Sequence, residues 1–135
     1  MANEIFVNLP VKDLKRTMEF FGRLNFKFNP QFSDQNAACM MVSREIFVML
    51  LVEDFFKTFT RKELVDAHRG TEVIVALSAD SRAGVDALVD AALQAGGKPV
   101  NEPQEYDFMY SRSFEDLDGH QWEVVYMDPA HVQPY

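Results

Sequence analysis

Residues 4–11, EIFVNLPV, alternate between apolar side chains in a way that suits a half-buried strand. Val7, Leu9 and Val11 fall on one face of it, and Phe6, Asn8 and Pro10 on the other. The period then lengthens. After Asp13, a suitable N-cap, Leu14, Met18, Phe21 and Leu24 recur at helical spacing and predict a helix reaching Leu24. Three strand-like runs follow, FKFNPQF, AACMMV and IFVMLLV. Polar turns at Asp34-Gln35-Asn36 and Ser43-Arg44-Glu45 separate them. The order is β-α-β-β-β.

Residues 53–69 form a polar connection with room for one or two short helical turns. TEVIVALSAD then restarts the plan, with Val73, Val75 and Leu77 on one face and Glu72, Ile74 and Ala76 on the other. Ser81 or Asp80 caps a second helix, whose stripe is Val85, Leu88, Val89, Ala92 and Leu93. Gly96-Gly97 ends it. Strands are predicted around 98–101, 108–115 and 121–127. The expectation is a single α+β domain over residues 1–135, made of two tandem βαβββ modules near 3–52 and 70–128. Their curled mixed sheets would carry the helices outside and enclose a cleft.

Composition narrows the function. The 135 residues carry a formal net charge of −8, which argues against a nucleic-acid partner because phosphate binding needs a basic face. The single cysteine, Cys39, sits in the apolar run AACMMVS, so it reads as a buried thiol in a reducing compartment. No stretch resembles a signal peptide or approaches a membrane span of about 20 apolar residues. A cytoplasmic protein is expected. No HxxxH, HExxH or CxxC pattern is present, and Gly96-Gly97 is a helix end rather than a phosphate loop.

One position stands out. In FEDLDGHQWEVVYMDP, residues 114–129, Glu123 interrupts a strand between Trp122 and Val124. An outward Glu is ordinary, whereas an inward one needs a partner, a proton or a metal.

The paired modules, the phrases FVNLPVKDL and FFGRLNFKF, and the closing FEDLDGHQWEV resemble the glyoxalase/bleomycin resistance/dioxygenase proteins, the vicinal oxygen chelate superfamily. SADSRAGVDALVDAALQAGGKP and FMYSRSFEDLDGHQWEVVYMDP resemble in particular the branch of predicted lactoylglutathione lyases. The resemblance implies a glyoxalase fold and, in metal-using members, four ligands from inward positions of the first and last strands of each module. Aligned on Val11-Lys12-Asp13, the first of these positions is Phe6, and the second falls at Met49. The third is Ile74 or, with a two-residue slip, Glu72. The fourth is Glu123, which the DGxxxE motif turns toward the cleft.

Phe6 and Met49 offer no nitrogen or oxygen to a divalent ion. The expected protein therefore binds a small organic ligand in a largely apolar cleft, its usual metal site mostly lost, with Glu123 as the centre of any catalysis. Phe6, Asn8, Met49, Glu72, Ile74, Tyr110 and Arg112 are the candidate ligand-binding residues, Arg112 as an anchor at the rim. No cofactor is expected beyond a weakly held divalent metal on Glu72 and Glu123. One alternative is a divalent-metal lyase or dioxygenase using those two carboxylates. Another is a drug- or metabolite-binding protein like the bleomycin resistance members. Relatives of this size pair modules across two chains, so a homodimer is implied, with the Phe-rich residues 55–59 as contact surface.

Overall fold

The structure, a computed structural model, describes residues 1–131. The chain divides into two compact units, Met1–Val65 and the part from Asp66 onward. The first unit runs β1 (Ile5–Val11), α1 (Leu14–Arg23), β2 (Lys27–Phe28), β3 (Ala37–Met41), β4 (Ile46–Val52) and the short α2 (Glu53–Phe56). Its sheet has the order β1-β4-β3-β2, with β1 and β4 parallel and the other pairs antiparallel.

Local chemistry sets these boundaries. The Asp13 carboxylate accepts from the Arg16 backbone N–H and caps α1. Strand β2 is shorter than the run FKFNPQF predicts, because Pro30 opens a 3-10 turn and the Asn29 side chain caps it by accepting from Gln31 N–H. The Asp34 carboxylate then accepts from the N–H groups of Asn36 and Ala37, which turns the chain into β3. Leu14, Thr17, Phe20, Phe21 and Leu24 are the buried positions of α1 and its cap, whereas Met18 is half-exposed. Phe20 and Phe21 meet edge-on at 4.9 Å between centroids and fill the core over Leu9, Val11, Val48 and Leu50.

The second unit repeats the plan with β5 (Ile74–Ser78), α3 (Arg82–Gln94), β6 (Lys98–Pro99), β8 (Met109–Glu115) and β9 (Gln121–Met127). One short strand is added, β7 (Gln104–Tyr106), which pairs antiparallel with the first residues of β8. The sheet order is β5-β9-β8-β6, and β5 runs parallel to β9. Ser81 is the cap of α3, accepting from Gly84 N–H. Val85, Val89 and Ala92 bury that helix against the face carrying Leu77, Phe114, Trp122 and Val124. Each unit is thus one mixed sheet with a helix on one face, and the opposite face carries the side chains of the alternate strand positions.

Candidate functional site

In the first unit the helix-free face is read off the strand register. Phe6 lies beside Phe47, Asn8 beside Met49 and Pro10 beside Leu51 across the parallel β1–β4 pair. Across β4 and β3, Met41 is opposite Phe47, Cys39 opposite Met49 and Ala37 opposite Leu51. None of these nine side chains is charged. The Phe6 and Phe47 rings stack with centroids 4.9 Å apart and planes 14° off parallel. Phe6 nevertheless keeps 52% of its surface exposed. The Asn8 amide nitrogen donates to the Phe6 carbonyl oxygen at 3.3 Å. Cys39 is buried, and burial raises its thiol pKa, so it is a neutral packing group here.

The second unit's helix-free face is more polar. Glu123 sits on β9 between Ala76 of β5 and Ser113 of β8. One row away are Ile74, Gln121 and Glu115, and on the other side Ser78, Val125 and Ser111. Glu123 is half-exposed, while Ser111 and Ser113 are buried. The Ser113 hydroxyl oxygen accepts from Asn101 N–H at 3.1 Å, so its own proton is available for donation. Sequence pattern alone did not single out Ser111, Ser113, Gln121 or Glu115. The alternation of β8 and β9 carries that information once their register is known.

Trp122, the neighbour of Glu123, points the other way. It is fully buried on the α3 side, its ring plane 3° from that of Phe114 at 6.2 Å, and its indole N–H donates to Asp116 at 2.9 Å. The other Asp116 carboxylate oxygen accepts from the N–H groups of Asp118 and His120, which ties the Asp-Gly turn to the start of β9. Burial pushes the Asp116 pKa up, against the opposing pull of His120 and these donors.

Two predicted ligand contacts are corrected. Tyr110 and Arg112 lie on the helix-bearing face of the second sheet, not on the face of Glu123. The Tyr110 hydroxyl donates to Asp86 of α3 at 2.7 Å, and Arg112 Nη1 donates to Asp86 and Asp90 at 2.9 Å each. The Tyr110 hydroxyl, and then Arg112, hold the Asp86 carboxyl below the usual range. The same hydrogen bond raises the Tyr110 phenol. Burial alone would lower the Arg112 pKa, but its bonds to Asp90 and Asp86 outweigh that and raise it. These groups clamp a helix onto a sheet.

Glu72 is corrected as well. Strand β5 begins at Ile74, and Glu72 is exposed in the bend before it. Ile74 takes the strand position opposite Gln121. In the first unit Phe6 and Met49 therefore present a phenyl ring and a thioether, and in the second Ile74 and Glu123 present a branched alkyl group and one carboxylate. Neither pair by itself suits a hard or borderline divalent ion. Among the described residues no group of three or more His, Cys, Asp or Glu side chains could hold a metal.

A groove of about 750 Å³ lies elsewhere in the first unit, along α1 and β2, floored by Leu14, Met18, Phe26 and Phe28. Lys15, Lys27, Glu19 and Asp34 stand at its rim, and none of the predicted site residues lines it.

Comparison with known proteins places this geometry. The family model for the Glyoxalase/Bleomycin resistance protein/Dioxygenase superfamily matches residues 5–124. A hypothetical protein from S. aureus is 30% identical, with 93% of this chain and 95% of that chain covered and a TM-score of 0.78. A glyoxalase-related enzyme from Fulvimarina pelagi has the same TM-score, 0.78, at 16% identity, covering 93% of this chain and 88% of its own. The fosfomycin resistance protein FosX from Listeria monocytogenes, 18% identical, matches with a TM-score of 0.70 over 100% of this chain and 96% of that one. No curated protein matches the sequence. No helix among the described residues is long and apolar enough to cross a membrane.

Proposed function

The chain belongs to the Glyoxalase/Bleomycin resistance protein/Dioxygenase superfamily, and on that premise we propose that it binds a small organic ligand on the helix-free faces of its sheets, without a tightly held divalent ion. The observation that supports this most directly is the donor set. Phe6 and Met49 fall at two of the four ligand positions that the family resemblance implies, and Phe6 is engaged with Phe47. A lactoylglutathione lyase-like isomerisation relies on a metal to polarise two vicinal oxygens, and these residues do not supply its ligands.

Any chemistry centres on Glu123. A carboxylate on an exposed face, with the Ser113 hydroxyl on the adjacent strand, can accept or return a proton at a bound ligand. Without turnover, the same face serves a sequestering protein of the bleomycin resistance kind. The metal-dependent lyase or dioxygenase built on Glu72 and Glu123 is the weaker reading, because Glu72 lies outside β5. We further read the protein as a single-domain cytoplasmic homodimer.

Calorimetric titration with Ni²⁺, Zn²⁺ and Mn²⁺, on the wild type and on Glu123→Ala, tests the reading. The expected outcome is no binding tighter than micromolar in either protein. Sub-micromolar binding that disappears in the variant would overturn it and favour the metal-dependent enzyme.

A further inference from the structure

The helix-free face of the first sheet has a chemistry of its own, and it bears on what kind of ligand the reading above requires. Phe6 and Phe47 form a near-parallel ring pair, 4.9 Å between centroids and 14° between planes. An offset pair of this kind leaves a flat π-face available on its outer side, and 52% of the Phe6 surface is exposed. Met41 lies opposite Phe47 across β3, and Met49 follows in the next row. Both are half-exposed, and their thioethers favour contact with aromatic rings. Asn8 sits beside Met49, with an exposed amide whose oxygen is a hydrogen-bond acceptor.

Charge enters this face at its β2 edge, where Lys27 lies opposite Met41 in the row of Phe6 and Phe47, whereas the row of Asn8, Met49 and Cys39 carries none. An aliphatic ligand would gain from burial alone, whereas a planar ring also gains the stacking and sulfur contacts.

We propose that this face, built on Phe6 and Phe47, is a stacking platform selective for planar aromatic rings, with the Asn8 amide meeting a polar substituent at the ring edge. The proposal rests on the reading that the helix-free faces hold the ligand, and it adds the ligand's chemical class.

The test uses the full chain labelled with ¹³C at the methionine methyl groups, Met41 and Met49 being assigned by Met→Leu substitution. The probes are 1-naphthol and its saturated counterpart decahydro-1-naphthol. Expected are ring-current shifts at Met41 and Met49 with 1-naphthol and about three- to tenfold weaker binding of the saturated alcohol. In Phe6→Leu, an exposed position whose substitution leaves the core intact, 1-naphthol should bind no better than the saturated alcohol. Equal affinity for both alcohols at Met41 and Met49 would overturn the aromatic selectivity while leaving a ligand-binding face. No response at either methionine to any probe would overturn both the platform and the ligand-binding reading of this face.

Discussion

Gly119 has a φ of +87°, and a Cβ added there would lie 2.7 Å from the backbone nitrogen and Nδ1 of His68 and 2.9 Å from the Ala67 carbonyl carbon. Two of these are backbone or carbonyl atoms, which move only if the 66–70 turn moves. Gly119→Ala should therefore destabilise the protein by about 2–4 kcal/mol, the left-handed backbone and the clash together. Gly22, exposed near the end of α1, is the opposite case, since an added methyl group would meet nothing within 4 Å. Gly22→Ala should stabilise by roughly 0.5–1 kcal/mol. Urea denaturation of the two variants reads both signs in one experiment, and a neutral Gly119→Ala would show that the turn yields easily. The close approach at Gly119 was invisible in the sequence, where DG signals a turn but not what packs on it. Glu123 was more accessible to sequence reasoning: strand alternation opposes it to Trp122, and a ring of that size seeks burial.

At the scale of elements, α3 is held by polar bonds as well as by its apolar stripe. Asp86 accepts from both Tyr110 and Arg112, and its lowered pKa makes this a pH-dependent clamp. A depressed carboxyl contributes stability that is present above the ordinary Asp range, near 3.9, and is lost as pH falls through the folded value. The Tyr110 phenol, raised in the fold, contributes below the ordinary tyrosine pKa near 10 and loses that contribution as pH rises through its folded value. Asp86→Asn should flatten the acid side of the stability profile and return the Tyr110 titration toward the ordinary range. Denaturant midpoints from pH 2.5 to 7, together with ultraviolet titration of tyrosine, check the two effects. An unchanged acid limb in the variant would remove Asp86 from the clamp. Most elements were legible from periodicity, including IFVMLLV as β4 (Ile46–Val52). Strand β7 was not, because its three exposed residues, QEY, carry no apolar alternation. The face of Tyr110 and Arg112 was not legible either. Parity within β8 follows from spacing, but pairing Arg112 with Val124 depends on a register set by the intervening turn.

For the whole molecule, the sequence had to supply two things: a repeated plan and a family. The plan emerged because both modules bury one helix on one mixed sheet, and the family followed from the closing DGHQWE phrase and the order of elements. Oligomeric state belongs to this scale. Phe59 is 69% exposed and meets Phe55 edge-on at 5.1 Å, beside the half-buried Phe56. Apolar surface of this kind suits a subunit contact. Sedimentation velocity at micromolar concentration should show a dimer, and Phe59→Asp should weaken it at least tenfold, about 1.4 kcal/mol. A wild-type monomer would count against the contact.

The parallel pairs have a consequence for how the chain acquires its structure. Ile5 finds Ile46, and Ile74 finds Gln121, so the opening strand of each sheet must wait for the last one before it is paired. Such non-local closure is slow compared with helix or hairpin formation. During synthesis the first sheet has all its strands once Val52 has emerged, whereas β5 stays unpaired until β9 is made. The apolar run around Ile74 is then the segment exposed longest to wrong partners, and the interval in which a chaperone would find most to hold.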